Sequence, residues 1–429
     1  MRIAQITPSA GDSFYCENCI RDVALVRAMD TLGHDLLVIP LYLPLQEDTV
    51  NQVNESPIFF GGINVFLQQK FSIFRKTPRW LDSLFDSQRL LRWAGRRAGM
   101  TSAKELGQTT ISMLQGEHGK QTKELERLIE WLSIDHNKPD IVCLSNVLLS
   151  GLAPAIKQEL RIPVICMLQD EDAFLDGLPS PYSQQAWNII IEIANDINSF
   201  IAVSDYYAEV MKKRLGLSDD RIRVIYAGIP LNQYEPEQNH PEIPTIGYLS
   251  RMCADKGLDT LIEAFIILKK NEKLANTRLR ITGGKRIDDE EFINRIKQKL
   301  NENNLNNEVE FLNNFDSATK HSFLSTLTVL SVPEKLPVAC GFYALEALAA
   351  GVPVVEPATG VFPELIKMTG GGLLCEPDNP VSLAEKLQLL LSDSEYAKKL
   401  GKQGRKAVFE KFNIEQTAQE LMRIYQSIT

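Results

Sequence analysis

Two short stretches in the second half of the chain carry side chains suited to holding a phosphorylated ligand. The first is Gly247-Tyr-Leu-Ser-Arg251-Met-Cys-Ala-Asp-Lys256-Gly257, which begins within an apolar, β-branched run, Thr245–Leu249. It places two cations on what reads as a strand-to-helix loop. Arginine forks onto phosphate oxygens and lysine acts as a point charge, so the pair suits a diphosphate. Two surface cations on a solvated loop would have the same spacing, and the spacing alone leaves both readings open. The second stretch is Cys340-Gly341-Phe342-Tyr-Ala-Leu-Glu346-Ala-Leu-Ala-Ala-Gly351. Its glycine stands at a helix start, where backbone N–H groups and the helix dipole attract an anion. Glu346 is a lone carboxylate among Ala and Leu. If buried it needs hydrogen-bond partners, and ribose hydroxyls are one class of partner. On a solvated helix stripe it would need none.

Elements that could position these residues are legible as short apolar runs alternating with longer amphipathic stretches, the pattern of α/β folds with parallel sheets. The runs are Ile3–Thr7, Leu36–Tyr42, Ile63–Leu67, Asp140–Leu144, Pro163–Leu168, Phe200–Val203 and Ile222–Ile225, then Thr245–Leu249, Leu279–Thr282, Val309–Leu312, Thr328–Val332, Val352–Val355 and Gly372–Cys375. They read as strands buried on both faces. Between the halves, 230–244 holds four prolines and little apolar content, as a linker does. The expectation is a Rossmann-like domain over 1–232, a linker over 233–244, a second Rossmann-like domain over 245–412, and a C-terminal helix over 413–429 that is a candidate for packing back on the first. Two doubly wound domains so joined would face a cleft, with ligands at the carboxyl ends of the strands. Ser204 and Gly216 read as the caps of a helix Asp205–Leu215. Gly351 and Pro353 stop a helix that begins at Phe342.

Composition narrows the function classes. The 429 residues carry 46 Lys+Arg against 55 Asp+Glu, a net charge of −9. That argues against a surface built to neutralise nucleic-acid phosphates. No stretch approaches the roughly 18 apolar residues of a membrane-spanning helix, and the N-terminus lacks a signal-peptide apolar core. Seven Cys in such a chain read as reduced thiols of a cytoplasmic protein. Cys16 and Cys19 form a lone C-x-x-C pair with no second ligand pair at zinc spacing.

The Arg251–Lys256 and Gly341–Glu346 segments resemble those of family-4 glycosyltransferases of GT-B architecture. The similarity is specific over 245–429 and weaker before it, where Leu32-Gly-His-Asp-Leu36, Val203-Ser-Asp-Tyr and Ile222–Pro230 also resemble family segments. The resemblance implies a nucleotide diphosphate sugar donor, transfer of a hexose with retention of anomeric configuration, and neither metal nor other cofactor. Matched residue by residue, Arg251 and Lys256 would hold the donor diphosphate and steady the leaving phosphate. Glu346 would bind the ribose, and the helix start at Gly341 and Phe342 would meet donor atoms. Gly283, in the turn Gly283-Gly284-Lys285-Arg286, would neighbour the base.

The chain also departs from the family pattern. The first of two glutamates that flank seven residues should stand at 338, where this chain has Val338, with Glu334 four positions out of register. A frequent His at the end of the fifth N-domain strand is replaced by Gln169, which cannot exchange a proton near neutrality. The usual glycine pair of the first loop gives way to Gly11-Asp-Ser-Phe-Tyr15-Cys-Glu-Asn18-Cys-Ile-Arg21-Asp, which changes the wall opposite the donor. Gln169, Asp170, Gly11 and Tyr15 are candidate contacts for the sugar or the acceptor. Asp170-Glu-Asp172 matches a short metal-binding D-x-D pattern, but reads rather as a cleft-bordering or merely exposed acidic loop. Residues 66–98 interleave cations with aromatics, which suits peripheral contact with anionic lipid, a phosphorylated acceptor, or a helix packed on the sheet. A sugar-nucleotide-binding partner with little activity is the alternative motivated by Val338 and Gln169. A phosphorylase or nucleotide-sugar epimerase of the same fold is a third reading.

Overall fold

In a computed structural model, residues 1–8, 17–41, 59–60, 62–71, 74, 103–234, 241–312 and 317–429 are described. The first sheet contains β1 (Arg2–Thr7), β2 (Asp35–Pro40), β3 (Ile141–Leu144), β4 (Val164–Leu168), β5 (Ser199–Ala202) and β6 (Ile222–Val224). The second contains β7 (Thr245–Leu249), β8 (Arg278–Thr282), β9 (Val309–Phe311), β10 (Val329–Leu330), β11 (Val354–Pro357) and β12 (Gly372–Cys375). The orders are β2-β1-β3-β4-β5-β6 and β12-β11-β10-β7-β8-β9, six strands each. Every described pairing within them is parallel. Strand order reverses between β1 and β3 in one sheet and between β7 and β10 in the other. At such a switch point the loops leaving two adjacent strands turn to opposite faces and open a crevice.

Helices cover both faces because the strands cannot meet water: β3, β4, β5, β7 and β11 are buried along their whole length. Of the apolar runs, one is not a strand. Ile63–Leu67 lies inside the helix Gly62–Lys70. A five-residue apolar run does not by itself separate the two states, and the Gln-Gln-Lys that follows favours helix. Val65 and Gln68, three apart on that helix, are buried. Gln169 accordingly follows β4, the fourth strand among the described residues, and not a fifth.

Caps are where the sequence places them. Ser204 accepts a hydrogen bond from Tyr207 N at the start of Asp205–Leu215, and Gly216 ends that helix at φ 65°. The described chain divides into two compact units: Met1–Gly11, Asn18–Tyr226 and Thr417–Thr429 in one, Asp12–Glu17 and Ala227–Gln416 in the other. The helix Ile414–Ile428 contributes Ala418, Leu421, Met422 and Tyr425 to the first unit's core, all buried at the i, i+3, i+4, i+7 spacing of one helix face. The cysteines at 143, 166, 253, 340 and 375 are buried. Burial pushes the thiols of Cys143 and Cys375 up to about 12, so neither supplies a thiolate at neutral pH.

Candidate active site

The loop after β7 is built around Tyr248. Its hydroxyl, reached from a fully buried ring, donates to Arg251 O at 2.9 Å and lies 3.3 Å from Lys256 O, which folds 251–256 back on itself. The loop closes at Gly257, φ 67°, where a Cβ would stand 1.8 Å from Pro333 O. Only glycine tolerates both the left-handed backbone and that approach. Gly257→Ala is therefore expected to destabilise the protein by at least the 1–2 kcal/mol of a forced left-handed residue, read as a lower urea midpoint. An unchanged midpoint would refute the closeness of the two loops.

Both loop cations have carboxylate partners on other loops. Arg251 forks onto Asp289, Nε to Oδ2 at 2.8 Å and Nη2 to Oδ1 at 2.7 Å. Asp289 lies on the segment after β8 and also accepts from Arg286 N at 2.7 Å. Lys256 Nζ donates to Glu334 Oε2 at 2.6 Å, on the segment after β10. Because β7, β8 and β10 are parallel neighbours, these segments all leave the same edge of the sheet. Two ion pairs thus lace three loops together at the switch point.

Glu334 is 2 % exposed, and its other oxygen accepts from Tyr343 OH at 3.0 Å. Behind it stands Glu356 of β11, fully buried. Glu356 Oε1 accepts from Val332 N at 3.3 Å, while Oε2 has no hydrogen-bond partner. Burial, with the Glu334 charge adding to it, holds this carboxyl well above its ordinary 4.5. The folded protein therefore keeps a proton that the unfolded chain loses. The stability this supplies is complete below pH 4.5 and declines, by up to about 1.4 kcal/mol per pH unit, as pH rises toward the folded value. Glu356→Gln, already neutral, is expected to flatten that decline between pH 5 and 8 in urea titrations. Parallel wild-type and variant curves would contradict it.

The helix Phe342–Ala349 starts from Gly341 at φ 73°, whose Cβ would press on the Phe362 ring at 2.9 Å. Within the second unit, Phe342 N donates to Glu17 Oε1 at 3.1 Å, so a carboxylate occupies the helix start. Glu346 is 3 % exposed, which removes the solvated-stripe reading. It is ion-paired with Lys320. Tyr234 lies close to it, its phenol pushed up by burial and by the Glu346 charge, and meets His321 edge-on at 4.7 Å. Gly283 sits at φ 118° with the Ser250 backbone 2.3 Å from where its Cβ would be, so the crossing of the β7 and β8 ends accounts for the glycine. Val338 is buried, and its carbonyl accepts from Val361 N at 2.9 Å.

The first unit holds a separate polar cluster at its own switch point. Gln169 Oε1 accepts from Arg21 Nη1 at 3.0 Å. Arg21 is 1 % exposed, with Nη2 on Asp22 Oδ1 at 2.8 Å and Ser145 O at 2.6 Å. Asp170 adopts φ 63°. Glu171, the middle residue of the acidic triplet, turns inward to accept from Gln169 N, Val147 N and Tyr207 OH at 2.7, 3.2 and 2.9 Å, and burial raises its pKa despite these bonds. Gly11, Tyr15 and Cys16 lie outside the described residues, as do 235–240 of the linker and all of 66–98 except 66–71 and 74. There Lys70 is ion-paired with Glu105. Among the described residues no helix is long and apolar enough to cross a membrane, and no group of three or more His, Cys, Asp or Glu could hold a metal ion.

Asp289 and Lys320 escaped the sequence reading, and Arg21 stood in it only as the end of the altered first loop, without its partners. Each is a partner 38, 26 or 148 residues from the group it serves, and only the fold brings such pairs together. Glu334 was visible beside the motif, but nothing in the sequence links it to Lys256.

Two doubly wound parallel sheets, with the chemistry gathered at the carboxyl ends of their strands, define the GT-B architecture. Solved structures share it. Sucrose-phosphate synthase from Thermosynechococcus elongatus superposes with TM-score 0.71 at 19% identity, covering 99% of this chain and 98% of that one. HepE from Anabaena, in complex with UDP, gives 0.70 at 15% identity over the whole of both chains. At these identities the likeness is one of fold. The profile described as Glycosyl transferases group 1 matches residues 232–407, and that described as Glycosyltransferase Family 4 matches 116–233. The chain belongs with the family-4-like GT-B glycosyltransferases. An uncharacterized glycosyltransferase of Methanocaldococcus jannaschii is 24% identical over 319 residues, 71% of this chain and 78% of the relative. Spore coat protein SA of Bacillus subtilis is 24% identical over 252 residues, 54% and 66% of the two.

Proposed function

We propose that this glycosyltransferase moves a hexose, with retention, from a nucleotide diphosphate sugar to a hydroxyl of a glycan, lipid or small molecule. The observation that carries the proposal is the lacing of Arg251 and Lys256 onto the loops after β8 and β10. Both cations are held at the sheet's switch point rather than spread over solvated surface, and fixed cations there can steady a diphosphate as it leaves. In the reaction the bond from the anomeric carbon to the phosphate oxygen breaks. A bond to the acceptor oxygen forms on the same face, and the acceptor proton passes to the leaving phosphate. Such a step asks mainly for positioning, so Gln169 in place of a titratable His does not forbid it.

Glu346 would take the ribose hydroxyls, sharing its carboxylate with Lys320. Gly341, Phe342 and Gly283 would line the nucleotide. Gln169 and Asp170, with Gly11 and Tyr15, would face the sugar or acceptor. That HepE, of the same fold, was solved with UDP and UDP-glucose supports a nucleotide sugar as donor. The proposal is tested by incubating the protein with UDP-, GDP- and ADP-sugars and measuring free nucleoside diphosphate. Release from at least one donor is expected. Binding without release over a broad acceptor panel would replace the transferase with a sugar-nucleotide-binding protein.

A further inference from the structure

Lys256 is shared between two tasks, and Glu334 decides how. Its Nζ stands 2.6 Å from Glu334 Oε2, a carboxylate 2 % exposed, while the lysine side chain keeps 31% of its own exposure. The buried member of the pair is thus the acid, and the ammonium is anchored from behind. That bond uses one of three ammonium hydrogens. The anchor is itself fixed. Tyr343 OH holds the second Glu334 oxygen at 3.0 Å, and Glu334 N donates to Val332 O at 2.7 Å. Val332 N is in turn held by Glu356. The side chain with the most freedom around the diphosphate position, a four-carbon lysine stem, is thereby given one place.

We infer that Glu334, braced by Tyr343, is the positioning residue for Lys256, fixing the ammonium for the departing phosphate while tempering its grip on the product. The inference rests on the proposed donor reading of Lys256. It has two consequences of opposite sign. The Glu334 carboxylate competes with an incoming diphosphate for the ammonium, so removing its charge should tighten nucleoside diphosphate binding. The same change releases the lysine from its fixed place, and misplacing a group by about an ångström lowers turnover steeply.

The experiment measures UDP, GDP and ADP affinity by calorimetry, and turnover on the donor that the wild type uses, in the full chain. Glu334→Gln should bind the product diphosphate about threefold to tenfold more tightly and turn over at least about tenfold more slowly. Tyr343→Phe removes the brace without touching charge, and should lower turnover several-fold at little changed affinity. In a Lys256→Ala background, Glu334→Gln should no longer alter affinity, because the coupling runs through the lysine. A merely structural Glu334 would instead lower affinity and turnover together and act equally in both backgrounds, which overturns the inference. Unchanged turnover in Glu334→Gln and Tyr343→Phe also overturns it. Full diphosphate affinity in Lys256→Ala alone would sink the donor reading itself, a result distinguishable from the other two. Should Glu334→Gln fail to fold, Tyr343→Phe carries the test.

Discussion

Alanine at Arg251 or at Lys256 will weaken nucleoside diphosphate binding by about one to two orders of magnitude, the value of a charge-assisted contact at roughly 1.5–3 kcal/mol. The two variants differ in what they leave behind. Arg251→Ala strands Asp289, which still accepts from Arg286 N. Lys256→Ala strands Glu334, 2 % exposed, with Tyr343 OH as the side-chain donor that remains to it. That carboxylate loses its cation in a place water reaches poorly, and stability should fall by about 1–3 kcal/mol as well. The double change Lys256→Ala with Glu334→Gln separates the effects. It should recover stability, by urea midpoint, and leave affinity as low as in the single variant. Full affinity in both single alanine variants would remove the diphosphate from this site.

Arg21→Met is expected to cost more than any other single change considered, about 3–5 kcal/mol, as when one member of a buried ion pair is deleted. Burial opposes the guanidinium's charge, and Asp22 more than offsets it, leaving the pKa above the ordinary value. Methionine keeps the stem and loses every bond to Asp22, Gln169 and Ser145. Asp22 would retain Thr7 Oγ1 at 2.9 Å and Ser145 Oγ at 2.5 Å, neither of them charged. A melting midpoint lower by on the order of 10 °C follows for a unit of this size, and Asp22→Asn on top should restore part of it. A drop of only a degree or two would mean that Arg21 is not the centre of the cluster.

What the sequence disclosed follows the range of the interaction concerned. Local rules hold to the residue at Ser204 and Gly216, because a cap depends on neighbours within a turn. The parallel sheets were legible because strands buried on both faces are apolar throughout. Ile63–Leu67 failed because its neighbours, and not its own pattern, decide between helix and strand. The site was half legible. Arg251, Lys256 and Glu346 stand out by type and spacing, though spacing alone leaves a solvated reading open for each. Their partners Asp289, Glu334 and Lys320 sit in ordinary acidic or basic surroundings and gain meaning only from strand order. Glu346 shows the limit well: its sequence context fits a ribose ligand and a solvated stripe alike, and burial against Lys320 removes the stripe without supplying the ribose.

Thr417–Thr429 belongs to the same compact unit as Asn18–Tyr226. Thr417 Oγ1 donates to Tyr226 O at 3.1 Å across a sequence separation of 191. On the ribosome, where domains ordinarily mature in order of emergence, the earlier unit must therefore wait for the later one. Until its closing helix arrives, the face that receives Leu421 and Tyr425 is bare, so a nascent chain carries it uncovered while residues 227–416 are made. Any attempt to express the first sheet alone needs that helix grafted on.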